Sequence, residues 1–141
     1  MFAFAGNTVF GFEILTALKV LAGLYTAVLF LQSGNNKLLD WSGNRAYIAS
    51  VFEKTFLRPV STLLLGVITV LELAAGICSG LGVLFLLTGQ GAALAVLGLF
   101  LGATAILCLF TGMRIAKDYG GAASITGYFV FFVVALALYA V

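Results

Sequence analysis

The sequence contains no histidine, one proline, two cysteines and few charged residues. Without histidine, the chain lacks the imidazole ligands of common haem, zinc and copper sites, and it lacks the base of a Ser-His-Asp or Cys-His arrangement. Charged residues make up 9% of the chain, whereas ordinary soluble domains carry about 25%. The composition therefore excludes a soluble globular protein, and we expect neither a catalytic residue nor a metal site.

Long apolar runs dominate what is present, since 63% of the residues are hydrophobic and residues 73–113 and 119–141 carry no charge. A membrane-spanning helix needs roughly 20 apolar residues. The chain of 141 residues has room for about one domain. We predict one all-α transmembrane domain over residues 1–141, an integral membrane four-helix bundle. Its spans are 12–34, 60–87, 91–113 and 122–141.

The linker between the first and second spans has its own pattern. Apolar residues recur at helical spacing between Ser42 and Phe56, with polar residues mostly between them. This pattern predicts a short amphipathic interfacial helix over about 42–56, with Trp41 as an aromatic anchor and Arg45 and Tyr47 beside it. Such a helix either packs beneath the bundle without a ligand or caps a site in it.

Basic residues lie at one side of the predicted spans only. The two linkers on that side, 35–58 and 114–121, carry Lys37, Arg45, Lys54, Arg58, Arg114 and Lys117. Because basic residues accumulate on the cytoplasmic side, we expect a multi-pass protein of the inner or plasma membrane with both termini on the non-cytoplasmic side. The net charge of +2 gives no indication of nucleic-acid binding.

Three charges remain inside the predicted spans: Glu13, Lys19 and Glu72. Glu13, Lys19 and Thr26 share one face of the first span, and Thr69 and Glu72 share one face of the second. Counted from the cytoplasmic ends at Gly34 and Val60, Lys19 lies roughly 22 Å and Glu72 roughly 18 Å deep. We therefore predict a buried Lys19–Glu72 ion pair with Glu13 as a third member.

That predicted pair has two interpretations. A buried ion pair sometimes only fixes the register of two helices. Ionisable residues within a membrane are also functional candidates by default, and here they would bind an anion, a proton or a quinone head group.

The cysteines lie at different predicted depths. Cys78 is roughly 27 Å and Cys108 roughly 8 Å from the cytoplasmic side, whereas a disulfide requires Cα atoms within about 7 Å. The chain also has no CxxC motif. We expect no disulfide between them and no thiol-disulfide catalysis.

Two short segments carry a family resemblance. FLQSGNNKLLD (residues 30–40) resembles the end of the first helix in the DoxX family of small four-helix membrane proteins, and LELAAG (residues 71–76) resembles its LExxGG segment. The matching positions are Ser33, Gly34, Lys37, Leu38 and Glu72. Ala75 departs from the pattern, since a second glycine is usual there.

The resemblance implies a non-catalytic membrane subunit or scaffold, with a quinone-linked oxidoreductase complex as its setting. Its partners would be membrane lipids and either other membrane subunits or a second copy, and its ligand a quinone or a lipid. An alternative is a homodimeric proton- or anion-coupled transporter that uses Glu13, Lys19 and Glu72. A third hypothesis is quinone chemistry near Trp41, Arg45 and Tyr47.

Overall fold

A computed structural model of the protein describes residues 8–9 and 12–141. Their helices are α1 (Ile14–Leu39), α2 (Trp41–Val51), α3 (Ser61–Leu87), α4 (Ala93–Ile115) and α5 (Tyr119–Ala137). Two antiparallel strands of two residues each, β1 (Thr8–Val9) and β2 (Phe12–Glu13), precede α1, and a 3-10 turn over Arg58–Val60 precedes α3. The predicted all-α class is confirmed.

Four of these helices, α1, α3, α4 and α5, are long and apolar enough to cross a membrane. They correspond to the first, second, third and fourth predicted spans. Large apolar side chains cover their outer faces, as at Val28 (70% exposed) and Val70 (66% exposed). Helices that are apolar on all sides are typical of membrane spans, because their outer faces meet lipid rather than water. The structure therefore supports a multi-pass membrane protein.

The ends of the helices differ from the predicted bounds by a few residues. Helix α1 continues five residues beyond the predicted end at 34 and stops before Asp40. Helix α5 starts at Tyr119 rather than at 122, because the Asp118 carboxylate accepts a hydrogen bond from the Gly121 N–H at 2.9 Å and caps the helix there.

Helix α2 is shorter than the predicted interfacial helix over 42–56. It starts after Asp40, whose side chain accepts a hydrogen bond from the Gly43 N–H at 3.3 Å. It ends at Val51, and the next residues form turns instead, with the Thr55 N–H donating to the Phe52 carbonyl at 3.0 Å. The helical spacing of apolar residues therefore continues past the end of the helix itself.

The long helices pack in the order α1, α3, α4, α5, with extensive contact between successive members. Small residues let their backbones approach closely. A Cβ atom on Gly34 would lie 2.6 Å from Leu73 Cδ2, and one on Gly76 would lie 2.8 Å from Leu31 Cγ. These two contacts define the register of α1 against α3, in which Gly34 is level with Leu73.

The core lies where these helices meet. Its fully buried large side chains are Phe30, Phe132, Leu65 and Leu99. The rings of Phe30 and Phe132 stack with their centroids 5.6 Å apart, which joins α1 to α5 across the interior. Glu72 is buried in the same interior, so this apolar core surrounds a carboxylate.

Candidate polar site in the helix core

Three polar side chains from two helices meet inside the protein. The Lys37 ammonium of α1 lies 3.0 Å from Glu72 Oε1 of α3. It donates a hydrogen bond to Glu72 Oε2 at 3.3 Å and another to Ser33 Oγ at 2.9 Å. The side chain of Glu72 is 1% exposed and that of Lys37 is 17% exposed. We call Ser33, Lys37 and Glu72 the polar cluster.

The local sequence explains this arrangement. Ser33 and Lys37 are four residues apart, so they lie one turn apart on the same face of α1. Gly34 lies beside Ser33 and packs directly against Leu73, the residue after Glu72. Because this glycine lets α1 and α3 approach closely, the Lys37 side chain reaches the carboxylate.

The electrostatics of the cluster depend on pairing. A carboxylate without a partner is very costly to bury, and the neighbouring ammonium offsets this cost for Glu72. The ammonium faces both carboxylate oxygens, at 3.0 Å from Oε1 and 3.3 Å from Oε2. The pair is neutral as a whole, so the buried carboxylate is compensated inside the protein.

The predicted Lys19–Glu72 pair is wrong. The Lys19 ammonium instead lies 4.6 Å from the centroid of the Tyr139 ring, in a cation–π contact. The prediction placed Gly34 and Val60 at the same depth, but Gly34 is level with Leu73, which is roughly 20 Å further along its helix than Val60. Lys37 therefore lies at the depth of Glu72, and Lys19 lies near the opposite end of α3.

The other residues predicted with that pair are also placed elsewhere. Glu13 is exposed at the start of α1. Thr26 and Thr69 are buried, and each hydroxyl donates to the carbonyl four residues earlier in its own helix, at 2.8 Å and 2.7 Å. The structure therefore does not bring Glu13, Lys19, Thr26 and Thr69 into one site with Glu72.

Most of the residues that the family resemblance selected do lie close together in the structure. Ser33, Lys37 and Glu72 form the polar cluster, and Gly34 provides the helix contact beside it. Leu38 is different, because its side chain points away from the core and is 53% exposed.

The residues predicted at the membrane interface lie on α2. Trp41 is half-buried and packs against the core cluster of apolar residues, whereas Arg45 is exposed and Tyr47 is 62% exposed. No residue of α2 is fully buried. Its place at a membrane interface stays a prediction.

A cleft of about 290 Å³ lies beside the polar cluster. Its polar lining consists of Gln32, Ser33, Asn36, Glu72 and Tyr128, and its apolar lining of Leu29, Phe30, Ile106, Leu109 and Ile125. Ligand pockets usually measure about 300–1,000 Å³, so the cleft is just below that range. Gln32 and Tyr128 are not among the predicted site residues. Gln32 and Asn36 are four residues apart, so they lie on the same face of α1, and this spacing is visible in the sequence.

We searched the part of the chain that the structure describes for side chains that could bind a metal ion. This part contains no group of three or more Cys, Asp or Glu side chains placed to hold an ion. Cys78 and Cys108 are both free, which confirms that they form no disulfide.

Comparison with known proteins gives no relative for the chain. No family model, no curated protein and no solved structure matches it. The polar cluster and its cleft are therefore interpreted from their geometry and chemistry.

Proposed function

We propose that the protein is a DoxX-like membrane protein that acts as a non-catalytic membrane subunit or scaffold of a quinone-linked oxidoreductase complex. The observation that supports this proposal is the contact between the two resembling segments, since Ser33 and Lys37 come from the first and Glu72 from the second. A paired lysine and glutamate within membrane helices are costly to insert and are functional candidates by default. The adjacent cleft provides room for a quinone or lipid head group.

The proposed topology places both termini on the non-cytoplasmic side of an inner or plasma membrane. The four long helices form a bundle in this proposal, and α2 lies at the cytoplasmic interface. Asn36 is near the end of α1 and Ile125 is near the start of α5, so the cleft lies in the cytoplasmic half. A redox partner on that side would lie close to a ligand in the cleft.

Purification from native membranes in a mild detergent tests this proposal. We expect a stoichiometric membrane or redox partner, with bound quinone, to be isolated with the wild-type protein. Lys37→Met and Glu72→Gln should each lower the recovery of that partner several-fold. Lys54→Met is the matched control, because Lys54 is exposed and lies outside the polar cluster.

Two results would contradict the proposal. Wild-type partner recovery by both cluster variants would mean that the Lys37–Glu72 pair only fixes the register of α1 and α3. Isolation of a homodimer without a partner, with pH-dependent binding of a small substrate, would instead favour the transporter. Circular dichroism of each purified variant separates loss of the partner from loss of the fold.

A further inference from the structure

One hydroxyl in the wall of the cleft keeps a proton that no described residue accepts. Ser33 lines the cleft, and its Oγ accepts a hydrogen bond from the Lys37 ammonium at 2.9 Å. Threonines of the long helices differ, since Thr26, Thr69 and Thr126 each donate to the carbonyl four residues earlier in the same helix. The Ser33 O–H donates to no residue that the structure describes. Its proton is therefore available to a molecule in the cleft.

The polar cluster strengthens this donor. Hydrogen bonds that form a chain polarise one another, and inside a protein they are stronger than in water. Here the chain starts at the Lys37 ammonium and continues at Ser33 Oγ, so the positive charge polarises the Ser33 O–H. Lys37 itself does not line the cleft. The cleft therefore contains a hydroxyl that is activated by a cation, whereas the cation stays outside it.

The acceptors of the polar cluster are not available to a ligand. The Lys37 ammonium faces both oxygens of Glu72, whose side chain is 1% exposed. The pair is neutral, so a charged head group would add an uncompensated charge to an apolar interior, which is strongly unfavourable. The side chains of Gln32, Asn36 and Tyr128 can each donate and accept, so they fit a ligand of either kind. The cluster therefore favours a neutral head group that accepts a hydrogen bond.

The rest of the cleft favours a ring with an apolar tail. Its volume of about 290 Å³ accommodates a single ring. Beside the cleft, Gln32 of α1 is exposed and Tyr128 of α5 is half-buried, so the cleft opens between these helices toward the surface that would face lipid. A ring can enter there while its tail stays in the lipid. Large apolar side chains form the remaining wall: Leu29, Phe30, Ile106, Leu109 and Ile125.

We infer that the cleft binds the carbonyl-bearing ring of a quinone, and that the Ser33 O–H donates a hydrogen bond to a ring carbonyl. A phospholipid head group does not fit, because its charge would be uncompensated. Lys37 is a positioning residue, since it acts on the ligand through Ser33. The inference rests on the proposed quinone-linked function, and it adds the group that recognises the ligand.

A matched pair of probes tests this assignment. The probes are trimethylbenzoquinone with a decyl tail and the parent decyltrimethylbenzene, which share ring substituents and tail and differ in the two carbonyls. Every ring carbon of this quinone is substituted, so it has no open position for addition of a cysteine thiol. Binding of each probe to the purified protein in detergent micelles is measured by native mass spectrometry. The ratio of the two affinities is the preference for the quinone.

Variants locate this preference at Ser33. Ser33→Ala should lower it about fivefold, the usual effect of one hydrogen bond. Ser50→Ala is the matched control and should keep the wild-type preference, because Ser50 is exposed and its hydroxyl already donates to the Tyr47 carbonyl at 2.7 Å.

The infrared band of the quinone carbonyl gives a readout that a merely structural role of Ser33 would not move. Hydrogen bonding to a carbonyl oxygen weakens the C=O bond, so we expect the band at lower frequency on the wild-type protein than in empty micelles. Ser33→Ala should reduce this shift, and Ser50→Ala should keep it.

A second pair of variants tests the cleft without altering the polar cluster. Leu29 lines the cleft, and Val28 beside it is 70% exposed. Leu29→Trp should fill the cleft and abolish binding of the quinone, whereas Val28→Trp should leave it unchanged.

Three results would overturn the inference: no binding of the quinone by the wild-type protein, an unchanged preference in Ser33→Ala, or an unchanged carbonyl band in that variant. Wild-type quinone binding by Leu29→Trp would overturn it even if Ser33→Ala fails to fold. These assays use the isolated protein, so their failure is distinct from a failure to isolate a partner.

Discussion

Helix α1 carries two lysines whose surroundings differ. Lys37 is paired with a fully buried carboxylate and a serine hydroxyl, whereas Lys19 lies over the face of the Tyr139 ring. The first contact compensates a charge that has no access to solvent. The second is an attraction between a cation and a neutral ring, made by a lysine that is only half-buried.

The difference arises because the depth of a residue in a helical membrane protein depends on the axial register between neighbouring helices. Lys19 and Glu72 are at similar depth only if the predicted span ends lie in one plane. The contact between Gly34 and Leu73 shifts α3 along α1 and brings Lys37 to Glu72 instead. Small residues at helix contacts therefore decide which charges meet.

The largest expected effect comes from removing the paired lysine. Lys37→Met leaves the buried Glu72 carboxylate without a counter-charge, and we expect the free energy of unfolding to fall by about 3–5 kcal/mol. Unfolding by sodium dodecyl sulfate in mixed micelles, followed by circular dichroism, measures this change. Lys54→Met, at an exposed lysine, should cost less than about 0.5 kcal/mol.

The double variant Lys37→Met/Glu72→Leu distinguishes the cost of an unpaired buried charge from the packing of α1 against α3. Since no unpaired charge remains, it should be more stable than Lys37→Met alone. A double variant as unstable as the single one would contradict our account of the pair, and so would a Lys37→Met variant as stable as Lys54→Met.

The next largest effect should come from the helix contact that sets the register. A Cβ atom at Gly34 would lie 2.6 Å from Leu73 Cδ2, so Gly34→Val should lower the free energy of unfolding by about 1–3 kcal/mol through overpacking. Gly127→Val is the control, since a Cβ atom at Gly127 would meet nothing within 4 Å. Equal losses in the two variants, measured in the same micelles, would mean that this close approach does not set the register.

A smaller effect is expected at the other lysine. A double-mutant cycle of Lys19→Met and Tyr139→Leu should give a coupling energy of about 0.5–1 kcal/mol, the value of a partly exposed cation–π contact. Additive losses in the two single variants would show that the ammonium and the ring do not interact.

The smallest expected effect is a dependence of stability on alkaline pH. Burial raises the pKa of the Tyr139 phenol above its ordinary value of 10.0. The folded protein therefore keeps this proton to a higher pH than the unfolded chain does, and the resulting stability is present below about pH 10 and is lost as the pH rises further. Tyr139→Phe should weaken this loss between pH 9 and 11, and Tyr47→Phe should follow the wild-type curve.

The sequence was sufficient to predict the type and the number of the long helices. Apolar runs of such length form helices because a helix satisfies all its backbone groups within one segment. The ends were less predictable, since the spans were drawn from uninterrupted apolar character alone. Helix α1 continues past Lys37, whose ammonium is paired with Glu72 inside the protein, and the pattern of a single helix contains no information on that partner.

The candidate site was predicted in part. Glu72 was identified from the sequence as the only charge of its span, and the family resemblance selected Ser33 and Lys37 in addition. The predicted partner of Glu72, Lys19, was wrong, because the choice between Lys19 and Lys37 depends on contacts between two helices. Tyr128 was missed for the same reason, since its place beside the cleft depends on the packing of α5.

Only Asp40 separates α1 from α2, and it is hydrogen-bonded on both sides. Its N–H donates to the Asn36 carbonyl at 3.1 Å, and its own carbonyl accepts from the Asn44 N–H at 3.0 Å. These two hydrogen bonds continue the backbone pairing of both helices across the single residue that joins them. We therefore expect α1, which carries Lys37, and α2, which carries Tyr47, to move together, so that a tilt of α1 in the membrane also displaces α2.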